Sequence, residues 1–164
     1  MTPKNRNFIN NLIIMIVIPL INNKKSEATI MNISDLEIGR SYSNEELMEI
    51  FKCGNTGGMR KSNKTNTLVL IYNHHEMYDD AWRDDILHYT GMGKNGDQKL
   101  SGNQNKTLYE SNTNGVGLHL FEVFHKGRYQ YQGPVKLADK PYQETQPDER
   151  GFDRKVWMFP LKRI

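Results

Sequence analysis

The sequence has little cysteine, no long apolar run and only a small excess of charge. Cys53 is the only cysteine among 164 residues, which excludes an intrachain disulfide and a zinc site built on cysteine pairs. The longest apolar run, Leu12 to Ile21, has about ten residues, whereas a membrane-spanning helix needs roughly 20. The net charge of +3 favours a polyanionic partner only if the cations cluster. What remains is a globular composition, 37% hydrophobic and 25% charged.

The first 30 residues differ from the rest of the chain. Two cations, Lys4 and Arg6, precede the run from Leu12 to Ile21, which is the order found in export signals, but no small-x-small cleavage pattern follows. We interpret residues 1–30 as a disordered or non-native extension and place one domain at residues 31–164. A membrane-attached interaction protein that uses the apolar run is an alternative.

The pattern of apolar residues predicts a β-rich α+β domain. The uninterrupted run Thr67–Tyr72 predicts a strand covered on both faces. Further strands, separated by Gly, Asn, Asp and Pro, are predicted at Ile86–Thr90, Leu118–Phe124, Tyr129–Leu137 and Val156–Leu161. This spacing, with only one or two helices, favours a barrel or a sandwich.

One helix and one loop are predicted before the first of these strands. Residues 43–46 form a capping box, in which Ser43 and Glu46 satisfy each other's backbone amides, so a short helix should follow. Leu47, Ile50 and Phe51 fall at helical spacing and should be buried. Residues 57–66 are predicted to form a flexible loop that carries three cations.

Residues 91–96, Gly-Met-Gly-Lys-Asn-Gly, match the dinucleotide-binding fingerprint. That motif requires a helix immediately after it, within a βαβ unit, so that the helix N-terminus receives the pyrophosphate. Residues 97–105 contain Gly102 and two asparagines and predict no such helix. We therefore do not interpret the motif as a nucleotide site.

Several histidines suggest a second function, a small metal-dependent endonuclease of the HNH type. The side chains that it would use are His74, His75, Glu76 and His88. Metal sites of this kind need ligands at defined spacing on preformed elements, and that spacing is missing here. We expect no metal, no cofactor and no catalytic residue in this chain.

The densest chemical cluster is aromatic and acidic. Tyr78, Trp82 and Tyr89 surround carboxylates that include Asp79 and Asp80. A base flipped out of a duplex needs flat apolar faces for stacking and acceptors for the exocyclic amine of cytosine. The same side chains could instead be core aromatics and a solvated acidic loop.

Six blocks in order resemble the SRA (SET and RING associated) domain. They are Tyr78-Asp79-Asp80, Tyr89-Thr90-Gly91-Met92-Gly93, Asp97-Gln98-Lys99-Leu100, Asn103-Gln104-Asn105-Lys106-Thr107-Leu108, Tyr131-Gln132-Gly133 and Val156-Trp157-Met158-Phe159-Pro160-Leu161-Lys162-Arg163. The resemblance spans roughly residue 38 to the C-terminus and is greatest to the SRA-like domains of bacterial modification-dependent HNH restriction endonucleases.

This resemblance implies an SRA-like, PUA-like curved β-barrel with short flanking helices. Its partner would be double-stranded DNA containing 5-methylcytosine or a related base, which is flipped into a pocket. Tyr78 and Tyr89 would sandwich the base, Asp80 would accept a hydrogen bond from its N4 amine, and Thr90 would assist at its Watson–Crick edge. Trp82 could replace one stacking partner.

The resemblance also implies a DNA-contacting surface outside the pocket. The loop residues that would enter the groove or brace phosphates are Gln98, Lys99, Asn103, Asn105 and Lys106. Arg60 and Lys61 would act from the opposite side. The chain would be the recognition module of a restriction system in the cytoplasm, at the nucleoid, and a separate or fused HNH nuclease would cut the DNA.

Overall fold

The computed structural model describes residues 31–75, 78–101 and 103–164, and only the backbone of Asn103. The predicted extension at residues 1–30, with its apolar run, lies outside the described residues, as does Glu76. The helical elements are a 3-10 turn at Ile33–Asp35, α1 at Asn44–Phe51 and α2 at Asn103–Tyr109. The strands are β1 Ser41–Tyr42, β2 Met59–Ser62, β3 Thr67–Asn73, β4 Ala81–Arg83, β5 Ile86–Thr90, β6 Gly117–His125, β7 Arg128–Leu137, β8 Tyr142–Pro147 and β9 Asp153–Arg163.

All nine strands belong to one sheet. Its main path runs β2-β3-β6-β7-β9-β5-β4, while β1 pairs with β7 and β8 pairs with β9. Every ladder is antiparallel except that between β3 and β6. The chain between these two parallel strands contains β4, β5 and α2, so the connection carries much of the candidate site.

The central strand β3 is buried on both faces, as predicted. Leu68 and Leu70 enter one core cluster, whereas Val69 and Ile71 enter the other. Successive side chains of a strand point to opposite faces, so an uninterrupted apolar run fits a strand between two cores. Helix α1 covers the second cluster with Leu47, Ile50 and Phe51.

The sheet is not closed into a barrel, which corrects part of the prediction. Among the described residues no ladder joins β2 at one end of the path to β4 at the other. The phenol oxygen of Tyr89, on β5, lies 2.7 Å from the carbonyl oxygen of Gly58 and 3.1 Å from that of Ile71. A side chain therefore connects the two ends of the sheet where a barrel would have a backbone ladder. We call this place the seam.

The predicted strands are present with small changes at their ends, and the predicted α1 is confirmed. The Ser43 amide donates to Glu46 Oε2 at 2.6 Å, and the Glu46 amide donates to Ser43 Oγ at 3.2 Å. The helix ends at Phe51, and Lys52 adopts a left-handed conformation with φ of 52°.

Six elements were not predicted: the 3-10 turn, β1, β2, β4, β8 and α2. The supposed flexible loop at residues 57–66 contains strand β2, which pairs with β3 from Met59 to Ser62. Strand β8 lies in a segment rich in charged and amide side chains, and one of its partners is β9. Helix α2 begins at Asn103, seven residues after the glycine-rich segment ends, so the helix is too distant to form a dinucleotide-binding turn.

Candidate functional site

A cavity of about 360 Å³ lies at the seam. Its lining comes from both ends of the sheet and from the connection between β3 and β4. The lining residues are Gly57, Gly58, Ile71, Asn73, Tyr78, Asp80, Tyr89, Thr90, Gly91, Met92, Gly93 and Lys94. Four of the five predicted pocket residues therefore come together, although Asp80 and Thr90 are ten residues apart in the chain. We call this space the base cavity.

Asp80 and Thr90 are fixed to each other at the cavity wall. The backbone amide of Thr90 donates to Asp80 Oδ1 at 2.6 Å. Thr90 is buried, and its hydroxyl lies 3.5 Å from the sulfur of Met158 on β9. The Asp80 carboxylate, which accepts a hydrogen bond from a backbone amide of β5, therefore lies at a cavity large enough for a small molecule.

The two tyrosines of the cavity have different environments. Tyr89 is 2% exposed and belongs to the main core cluster, so its ring is held in one position. Tyr78 is partly exposed, and its phenol oxygen lies 3.5 Å from the carbonyl oxygen of Gly93. Tyr78 is therefore the more accessible of the two aromatic rings.

Trp82 lies outside the base cavity, which corrects its predicted role as a substitute stacking partner. Its indole Nε1 donates to Glu122 Oε1 at 2.6 Å, and the Arg163 guanidinium lies 4.6 Å from its ring centroid. Both groups belong to a separate cleft, to which Asp84 and Asp85 also contribute. The buried carboxylate of Glu122 fixes the indole on that side of the sheet.

Residues 91–98 form a turn that is stabilised by hydrogen bonds with two buried amide side chains. Gln98 Nε2 donates to Gly91 O at 2.6 Å, and Gln98 Oε1 accepts from the Trp157 amide at 2.9 Å. Asn105, on α2, exchanges hydrogen bonds with the amide and the carbonyl of Met92 at 2.7 and 2.9 Å. Both side chains were predicted to contact DNA, but they are buried and support the cavity rim instead.

Gly91 lies against both of these amide side chains, and there is no space for a side chain at its position. A Cβ atom there would lie 2.8 Å from Gln98 Oε1, 3.0 Å from Asn105 Oδ1 and 3.1 Å from the Phe159 ring. The glycine of the fingerprint-like motif thus permits close contact between a turn and two amides. The close packing of these amides, and not the binding of a phosphate, accounts for a glycine at this position.

The remaining predicted DNA-binding residues are placed as follows. Lys61, Lys99 and Lys106 are exposed, and Lys106 lies 3.9 Å from Glu110 one helical turn away. Arg60 is buried on the wall of a neighbouring cleft. Asn103 is the first residue of α2. Their contacts with DNA stay predictions.

Sequence reasoning missed part of the cavity lining. Gly57 and Gly58 form one wall, and a Cβ on Gly58 would lie 3.1 Å from the phenol oxygen of Tyr89. Lys94 adds a cation at the rim. The paired glycines were an available signal but were assigned to a flexible loop, and Lys94 was considered only as part of the rejected nucleotide motif.

The histidines of the alternative nuclease hypothesis have partners within the protein. His88 Nδ1 lies 2.7 Å from the phenol oxygen of Tyr142, and His75 Nε2 lies 3.0 Å from the carbonyl oxygen of Phe124. His74 Nε2 lies 3.4 Å from Glu122 Oε2. Within residues 31–75, 78–101 and 103–164, no group of three or more histidine, cysteine or acidic side chains could hold a metal ion.

No helix in the part of the chain that the structure describes has both the length and the apolar character needed to cross a membrane.

Comparison with known proteins identifies one matching family. The family model described as "ScoMcrA-like, SRA domain" matches residues 38–164. The comparison with curated proteins found no match for this sequence.

Solved structures share the fold at low sequence identity. The sulfur binding and SRA domains of ScoMcrA, complexed with phosphorothioated DNA, align over 79% of this chain with a TM-score of 0.65 and 17% identity. ScoMcrA described as a Type IV phosphorothioation-dependent restriction endonuclease gives the same values. The SUVH5 SRA complex with hemi-methylated CG DNA aligns over 79% of this chain and 89% of its own, with a TM-score of 0.59 and 24% identity. The chain spans only 40% and 26% of the two ScoMcrA chains.

Proposed function

This chain belongs to the family of ScoMcrA-like SRA domains, and we propose that it recognises double-stranded DNA containing a modified cytosine by flipping that base into the base cavity. The observation that carries the proposal is the meeting of Tyr78, Asp80 and Thr90 at one cavity, at the seam of a sheet shared with SRA structures. SRA domains of this fold are described in complexes with methylated, hydroxymethylated and phosphorothioated DNA.

The size of the base cavity fits a single base. Its volume of about 360 Å³ lies at the lower end of the roughly 300–1,000 Å³ range of small-molecule sites. It is about ten times the share of one water molecule in the liquid, roughly 30 Å³. The base cavity is therefore large enough to hold a pyrimidine with a small substituent.

The chemistry of the cavity fits cytosine. The Asp80 carboxylate can accept a hydrogen bond from the exocyclic N4 amine, which thymine lacks. Tyr78 supplies a partly exposed ring, and a base stacked on an aromatic side chain gains about 1–3 kcal/mol. That gain is comparable with the few kcal/mol that unstacking a base costs.

The proposed acceptor can be tested by exchanging one atom. In Asp80→Asn one oxygen can still accept from the Thr90 amide, while the other position becomes an NH₂ group that opposes the cytosine amine. We expect the variant to fold normally and to bind 5-methylcytosine duplexes no better than unmodified ones. Competition between otherwise identical duplexes carrying cytosine, 5-methylcytosine or 5-hydroxymethylcytosine would measure the preference.

Asp79→Asn is the matched control because it makes the same change in charge at the adjacent, exposed residue. It should keep the preference of the wild-type protein. If Asp80→Asn keeps the preference as well, Asp80 is not the acceptor. If the wild-type protein shows no preference among the duplexes, the proposed function itself is wrong.

We further propose that the chain serves as the recognition part of a modification-dependent restriction system, with cleavage by a separate or fused HNH nuclease. The support is that the match covers only 26% of ScoMcrA, which is described as a restriction endonuclease. The purified chain should therefore bind methylated plasmid in Mg²⁺ or Mn²⁺ without cutting it. Metal-dependent cleavage by the chain alone would favour the nuclease alternative.

A further inference from the structure

A second cleft lies beside the base cavity. It has a volume of about 570 Å³ and shares four lining residues with the base cavity: Gly57, Gly58, Ile71 and Asn73. Its other lining residues are Asn55, Thr56, Arg60, His75, Val123, Lys126, Gly127 and Tyr129. The segment of Gly57 and Gly58 is thus a common wall between the two spaces. We call the second space the cationic cleft.

The charge of the cationic cleft has one sign. Arg60 and Lys126 line it, and no carboxylate occurs among its lining residues in the described part of the chain. The cleft around Trp82 has Asp84, Asp85 and Glu122 in its lining, and the base cavity has Asp80. The cationic cleft is therefore better suited to an anion than either of these spaces.

Arg60 brings a buried positive charge to this cleft. The residue is 5% exposed, and its guanidinium donates to Gly57 O at 3.0 Å and to Asn44 Oδ1 at 2.7 Å. Its third acceptor is the phenol oxygen of Tyr129 at 3.4 Å, and the guanidinium carbon lies 5.3 Å from the centroid of that ring. All of these partners are neutral. A buried cation with neutral partners is costly, and a phosphate at the cleft would offset that cost.

Lys126 provides a second charge that can move. It lies in the turn between β6 and β7, next to Gly127, whose φ of 79° allows the chain to reverse direction. The lysine is exposed, so its ammonium can reach an anion in the cleft or at its mouth. The cleft thus combines a fixed guanidinium with an adjustable ammonium.

We propose that the cationic cleft binds a backbone phosphate of the DNA strand that carries the flipped base, next to the flipped nucleotide. A flipped base is joined to its phosphates through a single sugar, so a base in the base cavity places a phosphate near the common wall of Gly57 and Gly58. The inference rests on the proposed function, and adds a second, electrostatic contact on the other side of that wall.

The experiment removes one charge at a time, either from a lysine of the protein or from one linkage of the DNA. Lys126→Gln is compared with Lys140→Gln, which makes the same change at an exposed lysine of a different cleft. The probes are duplexes with one 5-methylcytosine, in which the 5′ or the 3′ linkage of that nucleotide is a phosphodiester or a neutral methylphosphonate. Affinities are measured by fluorescence anisotropy.

We expect Lys126→Gln to weaken binding of the all-phosphodiester duplex by about fivefold and Lys140→Gln to leave it unchanged. One of the neutral linkages should weaken wild-type binding by a similar factor, and that linkage should have little further effect on Lys126→Gln. The inference is overturned if Lys126→Gln binds like the wild-type protein. It is also overturned if the variant remains as sensitive to both neutral linkages as the wild-type protein.

The same series separates this inference from the proposed function. The preference of the wild-type protein for 5-methylcytosine over cytosine is measured on duplexes with ordinary linkages. If the preference is present and the Lys126 effects are absent, only the phosphate contact is wrong. If the preference is absent, the proposed function fails whatever the linkages show.

Discussion

Tyr78 and Tyr89 show how the same residue type performs two tasks at one cavity. Both rings were predicted to sandwich the flipped base, and both line the base cavity. Tyr89 is a core residue whose hydroxyl connects the ends of the sheet, while Tyr78 is partly exposed. Sequence order predicts that the two residues meet, but the depth of each ring depends on the packing around it.

Removal of one hydroxyl should separate these two roles. Tyr89→Phe leaves the carbonyl oxygens of Gly58 and Ile71 without their shared donor in a buried place, which we expect to cost about 1–2 kcal/mol. Tyr78→Phe acts at a partly exposed hydroxyl, whose contact with the carbonyl oxygen of Gly93 is long at 3.5 Å, and should change the free energy of unfolding by less than about 0.5 kcal/mol. Urea unfolding of both variants measures this difference. Equal stabilities would show that the hydroxyl of Tyr89 does not hold the seam.

Trp82 shows where sequence reasoning fails at the level of one side chain. In a regular strand, Asp80 and Trp82 would point to the same face because they are two residues apart. Strand β4 begins only at Ala81, so Asp80 lies before the regular strand and lines a different space from Trp82. A local change of backbone direction of this kind has no signal in the spacing of residues.

At the scale of elements, the turn at residues 91–98 shows that a sequence motif can match while its structural role differs. Its glycines match a phosphate-binding motif, but the structure uses Gly91 for close packing against Gln98 and Asn105. The sequence correctly indicated that the helix required by the motif was missing after the turn. It did not indicate α2, because the helix begins with two asparagines in three residues, and Asn is a weak helix former.

Gly91→Ala should loosen this turn. The added methyl group would lie 2.8 Å from Gln98 Oε1, so either the amide or the turn must shift. We expect about 1–3 kcal/mol of destabilisation and a parallel loss of affinity for modified DNA, because the turn forms the rim of the base cavity. Thermal unfolding and anisotropy would record both effects.

Gly54→Ala is the control for this substitution, since a Cβ at Gly54 meets nothing within 4 Å and its backbone needs no left-handed conformation. It should leave stability and binding close to those of the wild-type protein. Wild-type behaviour of Gly91→Ala would mean that the turn is not held as the hydrogen bonds indicate.

Strand β2 illustrates a second limit at this scale. Its sequence, Met-Arg-Lys-Ser at residues 59–62, shows no regular alternation of apolar and polar residues, yet three of these four residues are buried. They are buried because the strand pairs with β3 and contacts α2, and neither contact has a signal in the spacing of apolar residues.

At the scale of the whole molecule, the β-rich class and the family follow from the sequence, whereas the open seam does not. Closure depends on whether distant strands meet edge to edge, and here one phenol group connects them. The base cavity lies where this connection brings the two ends of the sheet together, and the cationic cleft lies beside it, next to β2 and β3. Because no backbone ladder closes the barrel at the seam, space for a ligand remains there.

The distribution of charge predicts how the molecule binds DNA in general. Lys99 is exposed beyond the base cavity, so Lys99→Ala should weaken binding of modified and unmodified duplexes by a similar factor. The slope of log affinity against log salt concentration should become shallower by about one unit, because one phosphate contact is lost. Titrations at several salt concentrations would measure this slope. A change confined to modified DNA would place Lys99 in base recognition instead.

The most direct test of the central claim is whether a base leaves the stack when the protein binds. A duplex with 2-aminopurine next to a single 5-methylcytosine reports loss of stacking as increased fluorescence. We expect a large increase when the wild-type protein binds this duplex, and a much smaller one with Tyr78→Ala at saturating protein. Saturable binding of the modified duplex by the wild-type protein without any increase would contradict base flipping into the cavity.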